Sequence, residues 1–144
     1  MSPTRIALLA TDGVFAATLM QARDFFHMAG LRHGKQQGLG TASAFQIRVV
    51  SPDGQAVTSF SEAVIPVDGR LGEAEVIILP AFWGDFDALS RRYPQVLDWL
   101  RRQHAGGTAI CGEASGVFWK RARPAMVSSC AASGSILNNT DFGR

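Results

Sequence analysis

Short apolar runs with the length of buried strands constrain this chain most. Residues 75–80 read Glu-Val-Ile-Ile-Leu-Pro, with β-branched residues side by side and a proline at the end. Residues 5–10 and 108–111 form two further runs of this kind. Strands that are apolar on both faces are typical of parallel sheets covered by helices on either side. No run approaches the roughly 20 residues needed to cross a bilayer.

Helical segments separate these strands. From Phe15 to Ala29, apolar residues recur at steps of three and four, which predicts a helix that ends at Gly30. Another helix is expected from Tyr93 to His104. The remaining expected elements are a loop over 34–43, a strand over 45–50 and an edge hairpin over 57–67. Alternating strands and helices predict a three-layer α/β/α sandwich with a mostly parallel, flavodoxin-like sheet.

Charge and composition divide the chain after Trp119. Residues 120–144 carry a net charge of +3, while the whole chain has a formal charge of only +2. Residues 128–139 are mostly Ser, Ala, Gly and Asn, so we expect one domain over 1–119 and a loose, divergent, basic Ser/Ala-rich tail over 120–144. The nearly neutral domain lacks the basic footprint of nucleic-acid binders.

Targeting and metal signals are weak. The N-terminus has no signal-peptide pattern, which predicts a cytoplasmic protein with no membrane partner. The two cysteines, Cys111 and Cys130, lack the spacing and the partners of a zinc site or a disulfide framework. We therefore predict no metal and no cofactor.

Three loops follow the predicted strands, at 11–15, 80–85 and 111–115. In an open α/β sheet, ligands collect beyond the carboxyl ends of the strands, so Asp12, Ala81 and Phe82 become candidate ligand-binding residues. Phe82 and its neighbour Trp83 are candidates for the wall of a pocket, or for aromatic cover over the core edge.

Cys111 lies where a strand runs directly into a predicted helix. A residue at such a corner is held in a strained conformation with its side chain exposed, as in nucleophile elbows. The positive end of the helix would favour a thiolate, and the N–H groups of Gly112 and near Ala81 would form an anion pocket. The alternative is a small buried cysteine that finishes a strand.

Four segments together resemble a known family. They are Leu-Leu-Ala-Thr-Asp-Gly-Val-Phe at 8–15, Val-Val-Ser-Pro-Asp-Gly at 49–54, Val-Ile-Ile-Leu-Pro at 76–80 and Ala-Ile-Cys-Gly at 109–112. Their order over residues 4–119 resembles the PfpI-like, or class I glutamine amidotransferase-like, superfamily. The resemblance is greatest to the sensor domain of GlxA-type transcription regulators of the AraC family.

The chain departs from this family at the partners of the cysteine. In enzymatic members a Glu on the first helix and a downstream His assist the cysteine. The position of that Glu falls at Thr18, and the three histidines, at 27, 33 and 104, all precede Cys111. General-base activation of Cys111 is thus unsupported, and Glu113 is interpreted as a helix-capping residue rather than a catalytic one.

The resemblance therefore favours a non-enzymatic, small-molecule-sensing domain. Its expected ligand-binding residues are Asp12, Thr18, Ala81, Phe82, Cys111 and Gly112. A cysteine-dependent hydrolase or glyoxalase/deglycase-like enzyme with Cys111 as its catalytic residue is the alternative, and a degenerate fragment is a third.

The family pattern is lost after Trp119, where no helix-turn-helix units follow. We expect a truncated or frameshifted relative of a longer regulator, with the C-terminal part of the fold incomplete and no DNA contact through this chain. Relatives suggest a homodimer.

Overall fold

The computed structural model describes residues 2–122, and a five-stranded parallel sheet forms their centre. Its strand order is β5-β2-β1-β6-β7, and every neighbouring pair is parallel. The strands are β1 (Thr4–Leu9), β2 (Phe45–Ser51), β5 (Gly69–Arg70), β6 (Val76–Leu79) and β7 (Ala109–Gly112). Strands β3 (Val57–Thr58) and β4 (Val64–Ile65) form a separate antiparallel hairpin rather than an edge of the sheet.

Helices cover both faces of this sheet. Helix α1 (Ala16–Gln36) packs on one face, against a cluster that includes Leu8, Leu19 and Val49. Helices α2 (Phe86–Arg92) and α3 (Pro94–Ala105) and a 3₁₀ helix (Ala114–Ala122) lie on the other face. The predicted three-layer α/β/α sandwich with a mostly parallel sheet is confirmed.

Helix α1 does not end at Gly30, as its sequence suggested, but continues to Gln36. Gly30 and Gly34 are buried, and a Cβ at either position would collide with the segment leading into β2, at Ser43 and at Ala42. These glycines permit close helix–strand packing and do not cap the helix. The predicted loop over 34–43 therefore begins only after Gln36.

Helix α2 precedes the helix that was expected from Tyr93 to His104. Asp85 caps it by accepting hydrogen bonds from the backbone of Asp87 and Ala88, at 3.3 and 3.1 Å. Pro94, in the first turn of α3, separates the two helices.

One face of β2 is not covered by the described helices. Gln46 and Arg48 point away from α1 and are exposed, which explains why this strand alternates polar and apolar residues. A cavity of about 240 Å³ lies here, and another of about 650 Å³ lies at the amino end of β6. Neither is lined by residues of the loops that follow β1, β6 and β7.

The 3₁₀ helix continues through Ala122, the last described residue. The tail expected to be loose over 120–144 lies, from residue 123 onward, outside the described residues. None of the helices within 2–122 combines the length and the apolar character required to span a bilayer.

Candidate functional site

The three loops singled out by the sequence meet at the carboxyl edge of the sheet. The Phe15 N–H donates to the Ala81 carbonyl at 2.8 Å, and the Trp83 N–H donates to the Gly13 carbonyl at 2.9 Å. Val14 and Phe82 form an isolated antiparallel bridge. The loops after β1 and β6 are thus joined along their backbones, and the corner after β7 lies beside them through Phe82 and Ser115.

Asp12 stabilises this edge by contacts within the protein. Its Oδ1 accepts from the Thr58 N–H at 2.9 Å, and its Oδ2 accepts from Arg92 at 2.6 Å and from the Tyr93 hydroxyl at 3.3 Å. Burial first, and the charge of Asp12 next, raise the pKa of Tyr93, so the phenol remains a hydrogen-bond donor at neutral pH. Asp12 therefore joins the first loop to the hairpin and to the α2–α3 junction.

Cys111 lies inside β7, in register with Ile78, and is half-buried. Its side chain packs against the apolar cluster on the α1 face, whereas Trp119 of the 3₁₀ helix belongs to the cluster on the other face. The thiol and the body of the following helix thus lie on opposite sides of the sheet. That the positive end of the helix favours a thiolate at Cys111 stays a prediction.

Backbone strain at the corner falls on Ala114 and not on Cys111. Ala114 has a φ of 48°, and the only other non-glycine residue with a positive φ among residues 2–122 is Glu62. The left-handed region is costly for a residue with a Cβ. The structure therefore contradicts the nucleophile-elbow geometry predicted for Cys111, and the turn itself is made three residues later.

Close packing at two glycines determines the shape of the segment after Cys111. A Cβ on Gly112 would lie 2.7 Å from the backbone of Val117, and one on Gly116 would collide with the Leu79 and Pro80 carbonyls. Because the chain folds back so tightly, it forms a 3₁₀ helix rather than the expected α-helix.

Ser115 occupies the N–H next to Ala81, one of the two backbone groups that the sequence assigned to an anion pocket. The Phe82 N–H donates to Ser115 Oγ at 2.9 Å, and that hydroxyl donates to the Phe82 carbonyl at 2.7 Å. The aromatic ring of Phe82 is also unavailable as a pocket wall, because it is buried against Phe86 and Trp119. The buried ring agrees with the alternative given for it, aromatic cover over the edge of the core.

Glu113 follows β7 and extends the sheet by one backbone hydrogen bond, from its N–H to the Leu79 carbonyl at 2.9 Å. Burial raises the pKa of its carboxyl group. Its carbonyl accepts from the Gly116 N–H at 2.8 Å. Glu113 thus supports the turn through its backbone and holds a partly desolvated acid two residues from the thiol.

Thr18 and the histidines lie in ordinary structural surroundings. The Thr18 hydroxyl donates to the Phe15 carbonyl at 3.0 Å, in the first turn of α1. The exposed His33 ring stacks on Phe45, with ring centroids 6.3 Å apart. Within 2–122, no group of three or more Asp, Glu, His and Cys side chains is arranged to bind a metal ion.

Sequence reasoning indicated Trp83 as a candidate pocket wall, but it missed the exposed aromatic cluster that Trp83 forms at this edge with Phe15 and Phe60. The Phe15 and Phe60 rings lie 5.2 Å apart, and Trp83 lies 5.0 Å from Phe60 and 6.4 Å from Phe15. Trp83 is 64% exposed and Phe60 is 48% exposed. The three residues come from three separate loops, so no local pattern brings them together. We call Phe15, Phe60 and Trp83 the aromatic cluster.

Several solved structures resemble this arrangement. A protein described as a transcriptional regulator from Vibrio parahaemolyticus has a TM-score of 0.66 and 18% identity, with 84% of this chain and 62% of that protein covered. Drosophila melanogaster DJ-1beta has a TM-score of 0.59 and 20% identity, with coverage of 85% and 60%. An AraC family transcriptional regulator from Pseudomonas putida has a TM-score of 0.58 and 18% identity, with coverage of 81% and 68%.

The chain spans only about three fifths of the first two of these proteins. At these identities the likeness concerns the fold. No family model matches the chain, and no curated protein matches its sequence.

Proposed function

We propose that this chain, whose fold is the flavodoxin-like sandwich of the DJ-1/ThiJ/PfpI proteins, is a non-enzymatic, small-molecule-sensing domain related to AraC-family regulators. The observation that carries the proposal is the aromatic cluster at the carboxyl edge of the sheet. Ligands of α/β proteins collect at this edge, and contiguous exposed aromatic surface is a mark of binding sites.

The surroundings of the aromatic cluster define the ligand class. Asp12, the nearest acid in the same loop, is occupied by Thr58, Arg92 and Tyr93. Recognition therefore rests on stacking and apolar contact rather than on a charge. We infer a ligand with a flat, apolar portion that covers Trp83 and Phe60.

The chemistry near Cys111 favours binding over catalysis. Thr18 stands where a catalytic acid would be needed, and its hydroxyl is bonded to the Phe15 carbonyl. Cys111 itself lies in the strand, against apolar neighbours. Thr18 has no carboxylate, so it cannot act as the base that a catalytic cysteine requires.

The fluorescence of Trp83 provides a direct test. Trp99 and Trp119 are 2% and 1% exposed, so Trp83 is the tryptophan that solvent and ligands reach. Titration with benzoate should quench or shift its emission and raise the melting temperature, while aliphatic acids of similar size should do neither. Trp83→Leu and Phe60→Leu should weaken binding, read from the melting temperature, by about tenfold each.

The matched control is Phe25→Leu, which replaces an equally exposed aromatic residue on α1 and should leave binding unchanged. A panel of flat aromatic acids, amines and aldehydes that produces no response up to millimolar concentration would refute the proposed site.

A second function is favoured by one observation, the partly buried Glu113 close in sequence to Cys111. Such an acid could accept a proton in a cysteine-dependent hydrolase or glyoxalase-like reaction. Thiol labelling in a Cys130→Ser background, with Cys111→Ser as the blank, separates the two functions. Rapid labelling below pH 7 together with turnover of a dicarbonyl such as methylglyoxal would replace the sensing proposal with the enzymatic one.

A further inference from the structure

The sheet carries a polar row on its face opposite α1, where a parallel sheet is usually apolar. Parallel strands are commonly buried on both faces and therefore apolar throughout. In β2, however, Gln46 and Arg48 alternate with residues that pack toward α1, and both are exposed. Arg5 of β1 lies in register with Gln46, so the three side chains share this face. The helices described within 2–122 leave the row uncovered, and its charge is open to a ligand.

A cavity of about 240 Å³ lies on this face. Small apolar side chains that are almost fully buried form its floor, namely Ala7, Val50 and Ala74. The charged residues that line it are Arg5, Arg48, Arg70 and Glu73. Three positive charges against one negative charge give the cavity an excess of positive charge, and we call it the arginine cavity.

Arg48 is the arginine that the fold positions most firmly. One N–H of its guanidinium group donates to the Asp68 carbonyl at 3.0 Å. A Cβ at Gly69 would collide with the same group, so the glycine leaves the guanidinium room beside the strand edge. Its remaining N–H groups have no hydrogen-bond partner within residues 2–122. A fixed cation with unused donors is therefore available to an anion.

Arg5 differs from Arg48, because carboxylates already neutralise it. Its guanidinium lies 3.5 Å from Glu73 and 3.3 Å from Glu75. Glu73 also lines the arginine cavity, and its side chain is 82% exposed. The attraction of the cavity for an anion thus depends chiefly on Arg48, and Glu73 opposes it.

We propose that the arginine cavity binds the phosphoryl group of a small phosphate monoester, with Arg48 as its principal donor. A phosphate monoester carries close to two negative charges at neutral pH, which matches the excess charge of the lining. The planar fork of an arginine bonds two phosphate oxygens at once. The apolar floor accepts a short carbon chain, and the volume is below that of the usual sites for drug-sized ligands.

This site goes beyond the proposed sensing of a flat apolar ligand, because it shares no residue with the aromatic cluster. Glycerol phosphate is the probe, since it has no aromatic ring, and glycerol is the blank. Calorimetric titration of the full chain should show saturable binding of glycerol phosphate that weakens as sodium chloride is added. Trp83→Leu should leave this binding unchanged, so failure of one site is distinguished from failure of the other.

Two substitutions with opposite expected signs test the lining. Arg48→Gln should weaken the binding of glycerol phosphate about tenfold or more. Glu73→Gln should strengthen it about threefold, because it removes the one acid of the lining and the partner of Arg5. The matched control is Arg32→Gln, at an exposed arginine on α1, which should bind as the unaltered protein does.

Succinate tests the choice of a phosphoryl group. It carries a similar charge on two separate carboxylates, so it should bind more weakly than glycerol phosphate. Circular dichroism and the melting temperature verify that each variant is folded. An absence of saturable binding at millimolar glycerol phosphate, an Arg48→Gln variant of undiminished affinity, a Glu73→Gln variant without gain, or equal binding of succinate would overturn the proposal.

Discussion

The turn after β1 and the corner after β7 lie at the same edge of the sheet, but different interactions stabilise them. Asp12 binds the first turn to the hairpin and to the α2–α3 junction through its carboxylate. The corner after Cys111 depends on the absence of side chains at Gly112 and Gly116, which lie against backbone atoms. The comparison shows that residues which resemble functional ones, Asp12 in the first turn and the segment at Cys111, can serve chiefly to stabilise the loops at this edge.

Substitution of Gly116 should lower the free energy of unfolding most, because the corner has no room for an added side chain. Gly116→Ala drives a methyl group into the Leu79 and Pro80 carbonyls, and we expect a loss of about 3 kcal/mol in the free energy of unfolding. Urea denaturation measures it.

The matched control is Gly106→Ala, where the nearest atoms to the new Cβ lie at 3.5 Å. The two variants should differ by at least about 1.5 kcal/mol in the free energy of unfolding. Equal losses would mean that the corner is not held by close packing.

Substitution of Asp12 should lower the free energy of unfolding by an intermediate amount. Asp12→Ala removes the acceptor of the Thr58 N–H and the partner of Arg92, so we expect a loss of about 1–2 kcal/mol. Asp12→Asn keeps one acceptor and should lose less. Asp98→Asn, which breaks an exposed pair with Arg101 on α3, should change the free energy of unfolding by less than about 0.5 kcal/mol.

Substitution of Glu113 should change the stability least. It should stabilise the protein at pH 7, whereas substitution of Asp12 destabilises it. Burial raises its pKa in the folded protein, so the carboxylate form is disfavoured by folding. The contribution of Glu113 to the free energy of unfolding is fully present below its pKa in the unfolded chain and is lost as the pH rises through its pKa in the folded protein.

Glu113→Gln should therefore raise the melting temperature slightly at pH 7 and leave it unchanged at pH 3.5. Thermal melts of both proteins at the two pH values give the comparison. A variant that is less stable at pH 7 would show that the carboxylate makes a stabilising contact.

The sequence was sufficient to predict the strands and helices that are marked by apolar runs or by helical periodicity. The strands near residues 5, 46, 76 and 109 were predicted within a residue or two, and so was α3. The end of α1 could not be predicted, because a glycine that caps a helix and one that packs against a strand look alike locally. Only the approach of Ser43 and Phe45 distinguishes them.

The candidate site was predictable in position but not in geometry. The carboxyl edge of a parallel sheet follows from strand order, so the three loops were expected to meet. The buried ring of Phe82, the strain at Ala114 and the aromatic cluster all depend on contacts between distant segments. Such contacts leave no periodic signal.

The paired hydrogen bonds between Ser115 and the backbone of Phe82 link the two ends of the candidate site. Trp83, the residue that a ligand would cover, follows Phe82 directly, and Ser115 belongs to the corner after Cys111. A ligand that shifts the loop after β6 must therefore shift the corner or break these bonds. Any coupling that these bonds carry between a ligand at Trp83 and the Cys111 thiol must be reciprocal, so modification of the thiol would change ligand affinity by the same factor as the ligand changes the thiol equilibrium.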